Sequence, residues 1–132
     1  QYLSICYNGT SHISQIAGLK LFDNMKYIRQ NIQIIMEQAR MLRLTFEKFG
    51  YSVTGGISAP YVWIETFPTL GHTFFKHLLE KCQVLGVPGI GFGNNGEYWI
   101  RISALQRPEV IKQAIKQIQK HLSISEIVDS SR

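Results

Sequence analysis

Cysteine is nearly missing from this 132-residue sequence: Cys6 and Cys82 lie far apart in apolar surroundings, with no CxxC pair and no metal-ligand spacing. That excludes a disulfide framework and a zinc module, and it predicts reduced, buried thiols in a cytoplasmic protein. The four histidines, His12, His72, His77 and His121, stand at no ligand spacing from carboxylates or cysteines, so no metal is expected. No apolar run approaches the length of a membrane span, which predicts a soluble chain with no membrane partner. A signal-peptide pattern is missing as well, since Gln1-Tyr-Leu-Ser-Ile-Cys6 has neither a charged n-region nor a cleavage site. There is no initiator methionine, and the chain begins inside what reads as a strand. A piece of a longer protein is the expectation.

Charge is present but not concentrated. Fourteen lysines and arginines against nine acids leave a net charge of +5, spaced along helical patterns such as Arg40, Arg43, Lys48 and Lys112, Lys116, Lys120. That spacing describes a solvated helix face and gives no support to nucleic-acid binding. An apolar fraction of 45% argues against disorder, and 132 residues suffice for one core.

Residues 1–7 alternate loosely and end at the turn signal Asn8-Gly9. Thr10 or Ser11 then caps a helix with Ile13, Ile16, Ala17 and residues 19–21 on its apolar face. Asp23 or Asn24 caps a long helix to about Phe49, closed by Gly50. Its expected buried stripe is Met25, Ile28, Ile32, Ile35, Met36, Ala39, Leu42 and Phe46. Strands are predicted over 51–54 and 59–65 around a Gly55-Gly56 turn, and a helix over 73–83 with Phe74, Phe75, Leu78, Leu79 and Cys82 inward. A strand over 98–104 precedes a last helix from Pro108 to about Leu122, buried through Val110, Ile111, Ala114, Ile115, Ile118 and Leu122. These elements predict an α/β (α+β) domain, a small, mostly antiparallel sheet covered by helices on one face, with a polar, frayed tail over 123–132.

The stretch from Val84 to Ala104 is the richest in signals. Glycines at Gly86, Gly89, Gly91, Gly93 and Gly96, with Pro88 among them, lead into a strand in which Arg101 stands between Ile100 and Ile102. Glycine at this density lets a backbone approach a ligand closely, and a guanidinium on a rigid strand suits bidentate capture of a carboxylate or phosphate. The same pattern also describes a surface turn beside a solvent-facing arginine, and the spacing alone leaves both open.

Three segments carry a family resemblance: Ile5-Cys-Tyr-Asn-Gly-Thr-Ser-His-Ile-Ser-Gln15, Gly55-Gly-Ile-Ser-Ala-Pro-Tyr-Val-Trp63 and Val87-Pro-Gly-Ile-Gly-Phe-Gly-Asn-Asn-Gly-Glu-Tyr-Trp-Ile-Arg-Ile-Ser103. Over about residues 1–122 the chain resembles the C-terminal part of LL-diaminopimelate aminotransferases, which are aspartate-aminotransferase-like, fold-type-I pyridoxal-phosphate enzymes. The third segment is shared broadly among such enzymes, while the first two point to the diaminopimelate branch. The resemblance implies that Arg101 clamps the α-carboxylate of the substrate. It implies that Asn8, otherwise an ordinary turn asparagine, reaches across a homodimer interface toward cofactor and substrate. It further implies the end of a large cofactor domain over 1–22, a bridging helix over 23–49 and a small domain over 50–122. Amino acids and 2-oxo acids would be the substrates, and pyridoxal 5'-phosphate the cofactor. The Schiff-base lysine, the acid facing the pyridine nitrogen and the phosphate cup would precede residue 1, so no catalytic residue is expected in this chain and by itself it would be inactive. Pro60, Tyr61 and Trp63 read as structural, and Glu97 as a partner of the Gly-rich loop or a solvated side chain. Ser58 and Leu105 stand where the family usually has asparagine and phenylalanine. A broader aspartate or aromatic aminotransferase, and a non-catalytic anion-binding module, remain open readings.

Overall fold

The computed structural model describes residues 10–122. The chain divides into two units, Gln1–Gln33 and Ile34–Arg132, and the division falls inside one long helix.

In the first unit Ser11 is the cap of α1 (His12–Phe22): its hydroxyl accepts from the Ser14 N–H at 3.2 Å. The bond satisfies one of the donors that a first turn leaves without an intrahelical partner. No residue of α1 is buried, however, and Ile13 is 81% exposed. The expected apolar face is not covered by any described residue of this unit. Its apolar side chains are spread around the helix, so there is no one stripe to bury. Neither expected cap of the next helix acts as one. The Asn24 amide donates back to the Lys20 carbonyl at 3.1 Å, and Asp23 faces Lys20 across 3.7 Å. The first turns of α2 (Met25–Lys48) then leave Met25 and Ile32 exposed, against the expected stripe.

In the second unit the same helix has a buried face: Gln38, Ala39, Leu42, Thr45 and Phe46. Gly50 ends it at φ 84°, a left-handed stop that glycine takes without a Cβ penalty. Four strands follow, β1 (Val53–Gly55), β2 (Tyr61–Glu65), β3 (Val87–Pro88) and β4 (Trp99–Ser103), in an antiparallel sheet ordered β1-β2-β4-β3. The register sets Val62 opposite Ile102, Trp63 opposite Arg101 and Ile64 opposite Ile100. Because strand side chains alternate, Val62, Ile64, Ile100 and Ile102 share one face, and all four are buried. They join Leu42 and Phe46 of α2, Phe74 of α3 (Gly71–His77), Leu78 and Cys82 of the π-helical turn after it, and Ile111 and Ile118 of α4 (Pro108–His121) in one core. Pro108 stands at the start of α4, where its missing N–H costs nothing.

Two expected inward side chains differ. Leu79 is exposed because the helical stretch after α3 widens into a π turn, Leu78–Cys82, which keeps Leu78 and Cys82 inward and turns Leu79 out. Val110 is exposed in the first turn of α4, ahead of the buried Ile111. Four helices and a four-stranded antiparallel sheet thus make up the described α/β structure, and the helices of the second unit cover one sheet face.

Candidate functional site

The other face of the sheet is where the chemistry gathers. Arg101 sits on β4 between two inward isoleucines, so the two-residue period turns it to the outer face with Trp99 on β4 and Tyr61 and Trp63 on β2. The guanidinium carbon lies 4.4 Å from the centroid of the Tyr61 ring and 4.4 Å from that of Phe92. Phe92 in turn meets Trp63 edge-on, with ring centroids 5.1 Å apart. Contacts of this kind between a cation and aromatic faces hold the side chain by its plane and leave its N–H groups free to donate. Among the described residues no carboxylate pairs with Arg101 and no hydrogen bond engages its nitrogens. A half-buried, aromatic-flanked cation with unengaged donors is suited to an incoming carboxylate or phosphate.

Phe92 is delivered by the Gly-rich segment, which folds as two 3-10 turns, Gly89–Phe92 and Asn94–Gly96. The turns close on each other at Gly89 and Gly96. A Cβ on either would run into backbone of the other, so this approach requires glycine at both positions. Between the loop and the sheet lies a groove of about 530 Å³ lined by Thr54, Trp63, Phe92, Asn94, Asn95 and Trp99, together with the loop glycines. Its character is aromatic with two amide groups at the rim. No lysine, histidine or acid lines it among the described residues.

The chain leaving β4 is pinned from behind. Gln38, buried on α2, donates from Nε2 to the Ala104 carbonyl at 2.7 Å and to the Gln106 carbonyl at 3.0 Å. Such bonds fix where β4 ends relative to the helix. Tyr51, packed edge-on against Phe46 and Phe74, has its hydroxyl pushed up to about 12, first by burial and then by the neighbouring Cys82. Burial likewise pushes the Cys82 thiol up. Both groups belong to the core side, far from acid–base work at neutral pH.

Of the site residues expected from sequence, Arg101 lies at the centre of this face and Asn8 lies outside the described residues. The Glu97 side chain is exposed, and its contribution is the backbone carbonyl, which accepts from the Gly71 N–H at 2.8 Å. Ser58 and Leu105 are both exposed. Tyr61 and Trp63 shape strand β2, as expected, and on its outer face Tyr61 packs against Arg101 while Trp63 pairs opposite it. Phe92, Trp99 and Gln38 were not singled out by sequence reasoning. The alternation within Tyr61–Glu65 carried part of the signal for the outer face; the Trp63–Arg101 register and the folding-over of the Gly-rich loop did not show in any one segment. Among the described residues no group of three His, Cys, Asp or Glu is placed to hold a metal ion.

Comparison with known proteins identifies the family and the fold. The chain is 39% identical over 121 residues to an LL-diaminopimelate aminotransferase of Lawsonia intracellularis (strain PHE/MN1-00), covering 89% of this chain and 30% of that protein. Its structure matches the L,L-diaminopimelate aminotransferase from Chlamydomonas reinhardtii with a TM-score of 0.83 at 33% identity, covering 89% of this chain and 30% of the other. A Methanococcus jannaschii protein, noted for an active site similar to those of kynurenine aminotransferases, matches with a TM-score of 0.77 at 31% identity over 89% of this chain and 32% of its own. The chain therefore spans about 30% of the length of these relatives. Residues 3–118 match the family model for aminotransferases of class I and II, and the chain belongs to that family.

Proposed function

We propose that this chain is the carboxylate-binding part of an aminotransferase that moves an amino group between LL-2,6-diaminopimelate and 2-oxoglutarate, a step of lysine biosynthesis. One observation carries the reading. Arg101 stands on a rigid strand with two aromatic contacts and with no described carboxylate or hydrogen-bond partner of its own. A planar fork of donors there matches the two oxygens of an α-carboxylate, and holding that group orients the rest of the substrate for proton transfer elsewhere. The likeness to two diaminopimelate aminotransferases supports the substrate.

Aminotransferases of class I and II are in general pyridoxal-phosphate dependent. That cofactor supplies electron withdrawal from the substrate Cα when bound. The described residues do not fit it by themselves: neither the groove nor the second pocket that Arg101 lines offers a lysine for its aldehyde or an acid for its ring nitrogen. We infer that those groups belong to the remainder of a longer protein, and that residues 1–22, 23–49 and 50–122 are the end of its cofactor domain, a bridging helix and its small domain. Asn8 is then the residue that reaches a neighbouring subunit's site in a homodimer. A cytoplasmic location is proposed with it, on the strength of a free, buried Cys82. Among the described residues no helix is long and apolar enough to cross a membrane.

A second reading, an aminotransferase for aromatic amino acids, is favoured by the groove of Trp63, Phe92 and Trp99. The test is made on the protein encoded by the complete reading frame, loaded with pyridoxal phosphate. Its visible absorption is expected to change on adding LL-diaminopimelate and not on adding aspartate or phenylalanine. A change with all three amino acids removes the narrow substrate. No visible band at all removes the aminotransferase and leaves a non-catalytic anion-binding module.

A further inference from the structure

We infer that Tyr61 and Phe92 are positioning residues that order the Arg101 guanidinium before any carboxylate arrives. The inference rests on the reading of Arg101 as a carboxylate site and adds how that site is made ready.

An arginine side chain has many rotamers, and freezing them on binding subtracts from affinity. An acid beside Arg101 would also restrain it, but would occupy the donors a ligand needs. Here two rings stand where an acid would otherwise be, each with its centroid 4.4 Å from the guanidinium carbon. Aromatic contact restrains the plane and leaves the N–H edges unspent. The two rings come from different places. Tyr61 is on β2, diagonal to Arg101 across the β2–β4 pair, and is fixed by the sheet register. Phe92 is on the Gly-rich loop and is braced from its far side by Trp63.

The loop explains the second contact. It is closed at its base, where Gly89 and Gly96 meet backbone to backbone, while Gly91 and Gly93 on either side of Phe92 have open space around them. The base is therefore fixed and the tip carries one ring over the cation. Half of the Phe92 surface is still exposed (52%), so this ring is not there to fill the core. Its packing partners are Arg101 and Trp63.

The test uses the protein encoded by the complete reading frame, labelled with 15N at arginine, with the Arg101 Nε–H signal assigned through Arg101→Lys. Ring currents from Tyr61 and Phe92 are expected to shift that signal away from those of the exposed arginines. Phe92→Leu is expected to move it back and to weaken binding of 2-oxoglutarate, the probe, about three- to fivefold. Phe92→Tyr, which keeps a ring, restores both. Unchanged methyl signals of Ile64 and Ile100 show that each variant keeps the core. If 2-oxoglutarate moves the Arg101 signal with equal affinity in the parent and in Phe92→Leu, the positioning role is overturned and the carboxylate reading stands. If it moves the signal in no form, the carboxylate reading is overturned and the positioning role falls with it.

Discussion

Strands β2 and β4 present two faces built on the same backbone. Val62, Ile64, Ile100 and Ile102 point one way into a core in which none of them is more than 4% exposed. Tyr61, Trp63, Trp99 and Arg101 point the other way and are all half-buried. On the inner face each side chain is restrained by many neighbours, so a change there is felt as stability. On the outer face the restraint on Arg101 comes from two rings, and what it leaves open is a set of donors. Alternation of side chains thus gives one five-residue strand both a core face and an outer face that carries Arg101.

The comparison breaks most clearly with Ile64→Ala. The residue is fully buried, and its loss is expected to cost about 2–5 kcal/mol in denaturant unfolding. An effect below about 0.5 kcal/mol would mean that the inner face is not the core. The matching change on the other face is Arg101→Ala. In the complete enzyme it is expected to lose about 2–5 kcal/mol of substrate and transition-state binding, read from kcat/KM. Stability should change less, by about 1–2 kcal/mol, the scale of losing its two ring contacts. Unchanged kinetics would remove Arg101 from the site.

A smaller effect sharpens the inner face by pH. The Tyr51 hydroxyl rises from an ordinary 10.0 to about 12 on folding, through burial and then Cys82. Below pH 10 both folded and unfolded chains keep the proton, and its full contribution is present. Between pH 10 and about 12 the unfolded chain ionises first, so stability falls by at most about 1.4 kcal/mol per pH unit. Denaturant midpoints across this window should fall more steeply for the parent than for Tyr51→Phe. Parallel slopes would place Tyr51 in water.

Much of this arrangement could be read in the sequence because it is local. The Gly50 stop, the cap at Ser11, Pro108 at the head of α4 and the alternation in β2 and β4 each depend on a few adjacent residues. The Arg-x-Ser end of the Gly-rich segment marked Arg101 in the same way. The buried stripe of α2 was readable only from Ala39 onward. Met25 and Ile32 have the right spacing, but spacing states which face a residue is on and not whether anything covers that face. Leu79 was assigned inward on a 3.6-residue period that the π turn does not keep. Gln38 reads as an ordinary polar helix residue until Ala104 and Gln106, more than 60 positions away, bring their carbonyls to it.

The sequence by itself determined most of the elements, the family and the place of Arg101 on its strand, because those follow from short-range periodicity, turn chemistry and motif. Only the tertiary structure decided which rings meet that cation. Tyr61, Phe92 and Arg101 are brought together by a strand register and a loop closure, and both are set by contacts between segments that no local pattern contains.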